Sequence, residues 1–224
     1  MKEIVVIEKP TSSISESIKN IRTNLQFLAI DEPIKTLLVT SSAQGEGKTF
    51  TSVNLAVSFT QINKKVLIID CDMRRGRLHE VFKCSNIAGL SSLLLTELVK
   101  KNDYGDYIVK TDVKKLDIIP SGFYPPNPSD MLSSKKFAKI LSILKEEYDI
   151  IILDAVPLNG LSDSLEIAKL ADKILVVTAL NETPREFLAD SKKALHLFED
   201  KVAGIVINKG PHRPDRYYYK SEEV

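Results

Sequence analysis

Apolar residues come along this chain in short, dense runs separated by stretches of helical period. Ile150-Ile151-Ile152-Leu153 and Ile174-Leu175-Val176-Val177 show no polar alternation, the pattern of strands covered on both faces, which places them in the middle of a sheet. The same reading gives strands at Thr36–Ser41, Val66–Asp70, Leu116–Ile119, Ile150–Asp154, Ile174–Thr178 and Val202–Asn208. Between them, three- and four-residue apolar steps predict helices over Lys48–Ile62, Ser134–Tyr148, Ser164–Ala171 and Arg185–Phe198, long enough for right-handed crossovers. This alternation predicts an α/β fold, a mostly parallel sheet flanked by helices on both faces. Ahead of the first strand, Ile14, Ile18, Ile21, Leu25 and Leu28 predict an amphipathic helix over residues 15–29. Gly122–Ser129, with three prolines, predicts a surface loop entering a helix and no domain boundary. The expectation is one domain over 1–208 and a mobile tail over 209–224, which has neither helical nor strand period.

Composition narrows the function classes. The 224 residues are 43% hydrophobic and 27% charged, as in an ordinary globular chain. Lys and Arg number 31 against 30 Asp and Glu, so no global charge favours nucleic acid or an anionic membrane, and no nucleic-acid partner is expected. No apolar run approaches the roughly 20 residues of a bilayer span, and Met1-Lys2-Glu3 has no signal-peptide profile, so a cytoplasmic chain is expected. Cys71 and Cys84 form neither a CxxC pair nor a His/Cys cluster and are expected to be buried free thiols.

Directly after the first strand comes Ser41-Ser42-Ala43-Gln44-Gly45-Glu46-Gly47-Lys48-Thr49, followed by a helical segment, the context a P-loop requires. Gly45 and Gly47 let the backbone curl so that successive amides converge on phosphate oxygens. Lys48 supplies a cation for the β- and γ-phosphates, Thr49 a hydroxyl for Mg²⁺, and the helix start a favourable dipole. The strict pattern has Gly where this chain has Ser42, and the bland alternative is a Gly-rich turn with a surface lysine. The candidate nucleotide-binding set is Gln44, Gly45, Glu46, Gly47, Lys48, Thr49 and Phe50, with Arg74 and Asn208 added from their placement.

Val66–Asp70 runs straight into two carboxylates spaced by two. Alternation aims Asp70 and Asp72 the same way, toward the C-terminal edge where open α/β sheets bind ligands. One can hold Mg²⁺ directly or through water, while the other can accept a proton from an attacking hydroxyl. Capping of the next helix is the alternative. Asp154, at the end of Ile150–Asp154, suits a Walker B position on the metal's water shell. Thr49, Asp70, Asp72 and Asp154 are thus the metal candidates, and Lys48, Asp70, Asp72 and Asp154 the catalytic ones. The tail holds Tyr217-Tyr218-Tyr219 flanked by Arg213, Arg216 and Lys220, a triplet that fits phosphoacceptors, a sticky interaction tail or an accident of composition.

Together these motifs resemble the bacterial tyrosine kinases of capsule and exopolysaccharide synthesis, the CpsD/CapB group, over nearly the whole chain. The resemblance rests on the P-loop Ser41 to Thr49, Asp70-Cys71-Asp72-Met73-Arg74 as Walker A′, Ile150 to Asp154 as Walker B, and Tyr217 to Tyr219. It implies a P-loop NTPase fold of the Min and partition ATPase class, with ATP and Mg²⁺ as cofactors and autophosphorylation of the tail tyrosines in a neighbouring subunit's site. It also implies other protein-tyrosine substrates, a separate membrane-embedded polysaccharide co-polymerase-like activator, and a location at the cytoplasmic face of the membrane through that activator. A ring-shaped homo-oligomer is implied too, with an octamer as candidate stoichiometry, through a Glu-x-x-Arg-x-x-Arg motif that here is Glu16, Lys19 and Arg22. Lys19 departs from that motif and lacks the bidentate fork of arginine. Further departures are Ala155-Val156-Pro157 for the family's Thr-Pro-Pro, and Gly76 for its proline. The rival readings are a Min- or partition-like ATPase, whose signature lysine is replaced here by Ala43, and a nucleotide-binding scaffold without kinase activity.

Overall fold

The computed structural model describes residues 3–30, 32–97 and 104–211. Seven strands form one sheet: β1 (Thr36–Ser41), β2 (Val66–Asp70), β3 (Val109–Lys110), β4 (Leu116–Ile119), β5 (Ile150–Asp154), β6 (Lys173–Ala179) and β7 (Val202–Asn208). Their spatial order is β3-β4-β2-β5-β1-β6-β7. Every pairing is parallel except that of β3 with β4. The helices are α1 (Val5–Glu8), α2 (Ser13–Leu28), α3 (Lys48–Gln61), α4 (Leu78–Phe82), α5 (Leu90–Leu95), α6 (Pro128–Leu132), α7 (Lys135–Glu147), α8 (Asp163–Leu170) and α9 (Arg185–Ala194).

The strand side chains divide between two apolar layers. Ile68, Ile152, Leu37 and Val39 face α2 and α3 on one side. Leu67, Ile69, Ile151 and Leu153 face α7 and α8 on the other. Each fully buried Ile or Leu contributes about 1.5–3 kcal/mol, so the central strands are the most strongly held part of the chain. β5 lies at the centre as its apolar run predicts, whereas β6 lies beside the edge strand β7. An unbroken apolar run reports that both faces are covered, and β6 is covered on both without being central.

Of the apolar stripe on α2, Ile18 and Leu25 are buried while Ile14 and Leu28 stay exposed. The Ser12 hydroxyl caps the helix by accepting from Ser15 N at 3.2 Å. Glu16, Lys19 and Arg22 all have partners within the chain. Lys19 Nζ donates to Glu16 at 2.7 Å and to Pro10 O at 3.0 Å. Arg22 Nη1 donates to Ser58 O at 2.8 Å and to Ser58 Oγ at 3.0 Å, fastening α2 to α3. Cys71 is buried and Cys84 half-buried, both free thiols. Among the described residues, no helix is long and apolar enough to cross a membrane.

Candidate active site

Because β1, β2, β5 and β7 run parallel, their C-terminal ends deliver four functional segments to one edge. There the P-loop follows β1, Asp70 ends β2, Asp154 ends β5 and Asn208 ends β7. Asp70 and Asp154 are register partners, so their carboxylates are adjacent.

Gly45 and Gly47 adopt φ values of 81° and 96°, left-handed conformations that favour glycine, and α3 starts at Lys48. Ser41 Oγ donates to Ala43 O at 2.6 Å. The Glu46 side chain is buried and turned into the protein: it accepts from Ala43 N at 2.7 Å and from the Thr183 hydroxyl. Asn208 Nδ2 donates to Glu46 O at 2.8 Å. Glu46 and Asn208, both expected to touch the nucleotide, therefore brace the loop in this structure. Gln44 and Gly45 are exposed, Gly47, Thr49 and Phe50 half-buried, and Lys48 buried.

Thr49 Oγ1 donates to Asp154 Oδ2 at 2.7 Å, and Ser52 Oγ to Asp154 Oδ1 at 2.9 Å. Burial pushes the Asp154 carboxyl up to about 6, against the opposing pull of the Thr49 hydroxyl, the Lys48 charge and Ser52. Asp70 is fully buried and held well above the carboxylate range by burial and then by the neighbouring Asp154. Its oxygens accept from Asp72 N at 3.2 Å and Leu78 N at 3.1 Å. Asp72 is half-buried and accepts from Arg74 N at 3.2 Å and Arg75 N at 2.8 Å. Two buried carboxyls with raised proton affinity, beside a hydroxyl and a lysine, are poised to ionise when a cation arrives. Hard oxygen donors of this kind fit Mg²⁺, which keeps most of its waters and takes one or two protein ligands.

The Arg74 guanidinium is held by Asp163, with Nε 3.0 Å from Oδ2 and Nη2 3.4 Å from Oδ1. Ser129 Oγ donates to the same carboxylate at 2.6 Å. Asp163 and Thr183, 89 and 137 residues from Arg74 and Glu46, carry no local signal of their part in the site. The Ala155-Val156 departure is absorbed by packing. Both side chains are buried, and Val156 O accepts from Thr40 Oγ1 at 2.7 Å and Ser164 Oγ at 2.5 Å. Tyr217, Tyr218 and Tyr219 lie outside the described residues.

A phosphate-binding loop after the first strand, with acidic residues ending two neighbouring parallel strands, defines a P-loop nucleotide-binding protein. An AAA domain family model matches residues 34–202. The septum site-determining protein MinD from Pyrococcus horikoshii OT3, complexed with Mg-ADP, shares the fold with a TM-score of 0.59 at 22% identity, covering 77% of this chain and 67% of that one. Tyrosine-protein kinase YwqD of Bacillus subtilis (strain 168) is 35% identical over 207 residues, 92% of this chain and 86% of that protein. The chimerical protein CapA2B2 superposes with a TM-score of 0.87 at 34% identity, covering 94% of this chain and 91% of that one. This chain belongs to the family of bacterial tyrosine-protein kinases of capsule and exopolysaccharide synthesis.

Proposed function

We propose that this protein is an MgATP-dependent protein-tyrosine kinase that phosphorylates Tyr217, Tyr218 and Tyr219 of a neighbouring copy and thereby regulates capsular or extracellular polysaccharide synthesis. The observation that carries this reading is the hydrogen bond from Thr49 to Asp154 beside the buried Asp70, a P-loop hydroxyl and two carboxyls converging on one point. In the reaction, the bond between the γ-phosphorus and its bridging oxygen to ADP breaks and a bond to the tyrosyl oxygen forms. Lys48 and the loop amides stabilise charge on the γ-phosphoryl group. Thr49 and Asp154, with Asp70 and Asp72 beside them, would hold Mg²⁺, and the ion would supply neutralisation of phosphate charge. Asp70, whose buried carboxyl is held above the ordinary carboxylate range, accepts the phenolic proton, and the more open Asp72 orders the backbone of Arg74 and Arg75.

Family membership supports a separate membrane-embedded co-polymerase-like activator, a location on the cytoplasmic face of the membrane through it, and assembly into a ring-shaped homo-oligomer. The test is mass spectrometry of the purified protein after incubation with MgATP, alone and with the activator's cytoplasmic segment, with Lys48→Met as control. Phosphate on Tyr217 to Tyr219 that disappears in Lys48→Met is expected. ADP release over an unmodified tail would move the protein to the Min-like ATPases instead.

A further inference from the structure

The edge that carries Asp70 and Asp72 continues outward into a feature that nucleotide binding does not use. Beyond β4, Ser121 sits against Gly76: a Cβ on Gly76 would lie 2.3 Å from Ser121 Oγ and 2.6 Å from Asp70 Oδ2. Gly122 is clamped by the Asn86 side chain through two hydrogen bonds, N to Oδ1 and Nδ2 to O, each 2.9 Å. It also lies so close to Gly89 that a Cβ there would come 2.4 Å from Gly122 N. On this braced backbone Phe123 and Tyr124 remain 45% and 60% exposed, and Ile87, next to Asn86, is 87% exposed. The Tyr124 hydroxyl lies 3.5 Å from Arg74 Nη1, which ties the shelf to a residue two positions beyond Asp72. Exposed apolar side chains on a fixed backbone beside a reaction site mark an interaction surface. At its border Arg75 is exposed, its backbone is taken by Asp72, and among the described residues its guanidinium meets no carboxylate.

We infer that this shelf docks the tail of another copy of this chain, holding the residues on either side of the reacting tyrosine. The inference rests on the kinase reading above. The chemistry of the tail matches the shelf. Whichever of Tyr217, Tyr218 and Tyr219 reacts, a neighbour is another tyrosine, whose ring suits Phe123 and Tyr124 in offset or edge contact. Glu222 and Glu223 follow within about 20 Å of extended chain and carry the charge that Arg75 lacks. Phe123, Tyr124 and Arg75 are thus positioning residues for the acceptor, while Lys48 and the carboxylates act on phosphate.

Two full-length chains separate the roles. A donor carrying Tyr217→Phe, Tyr218→Phe and Tyr219→Phe keeps its site and lacks acceptors; an acceptor carrying Lys48→Met keeps its tail and lacks transfer. Mass spectrometry of the acceptor's tail, with acceptor concentration varied, gives the KM for acceptor. Phe123→Ser with Tyr124→Ser in the donor is expected to raise that KM about tenfold, with ATP affinity retained, while the same pair in the acceptor changes nothing. Arg75→Glu in the donor should raise KM about threefold, a surface ion pair's worth. Glu222→Lys with Glu223→Lys in the acceptor should restore it. An unchanged KM with the altered donors, or equal effects in donor and acceptor, overturns the shelf and leaves the kinase reading standing. No phosphate on the acceptor from the otherwise unaltered donor counts against the kinase reading itself.

Discussion

The side-chain amide of Asn208 reaches across 162 residues of sequence to donate to the Glu46 carbonyl, so the last strand of the sheet holds the phosphate-binding loop from behind. The same amide occupies the space beside Gly47, where an added Cβ would lie 2.0 Å from Nδ2. Gly47→Ala has to displace Asn208 and also strain a residue whose φ is 96°. It should lower nucleotide affinity at least about tenfold, whereas Asn208→Ala, which removes one hydrogen bond worth about 1 kcal/mol, should lower it about fivefold. Titration with a fluorescent ATP analogue checks both, and equal effects would show that the two residues do not oppose each other.

The raised proton affinity of Asp154 predicts how stability varies with pH. With its carboxyl near 6 in the fold against an ordinary 3.8, the native state binds more protons than the unfolded chain between those values. Metal-free protein therefore loses stability as pH rises from about 4 to about 6, by about 1–3 kcal/mol from this group. Asp154→Asn, whose amide still pairs with the adaptable hydroxyls of Thr49 and Ser52, should flatten that part of the profile while abolishing Mg²⁺-dependent transfer. Urea unfolding of both proteins at pH 4.5 and 7.5 is the measurement.

Asp70 and Asp72 should separate in their pH–rate profiles. Asp70→Asn is expected to cost at least about a hundredfold in transfer rate and to remove the acidic limb of the profile. Asp72→Asn should keep that limb and lose rate more modestly, through the Arg74 and Arg75 backbone that Asp72 orders. If the limb vanishes with Asp72→Asn instead, the proton acceptor is Asp72.

Arg22 has a structural task whatever its part in assembly. Burial lowers its proton affinity, and its guanidinium spends two hydrogen bonds on Ser58. Arg22→Ala should cost about 2 kcal/mol in unfolding free energy, against about 0.5 kcal/mol for Lys19→Ala at the Glu16 pair. Denaturation at concentrations where light scattering shows monomer separates this cost from any effect on a ring.

The six longer strands and the five longer helices were legible because each repeats its apolar period over several residues. The signal fades where elements are short. β3 has two residues, and α1, α4, α5 and α6 have four to six, too few to show a period. Pro128 reads as a loop breaker and in fact opens α6, where its missing N–H costs nothing. The site's ionisable residues were legible at strand ends, but their orientation was not. Glu46 looks like part of a phosphate cradle until Thr183, in the turn that follows β6, is brought against it. Asp163, the first residue of α8, has no counterpart among the sequence candidates, and only the fold brings it to Arg74.

The placement of β7 also sets a tether. Tyr217 lies nine positions after Asn208, which contacts the P-loop, and an extended chain covers at most about 3.3–3.6 Å per residue. Covalent length alone thus caps the reach from Asn208 to Tyr217 at about 30 Å, a span over which tethered groups meet at about millimolar local concentration. On the proposed kinase reading, a neighbour's tail would compete with a resident one for a single acceptor position, and a ring would favour exchange between copies only if it pointed each leash outward.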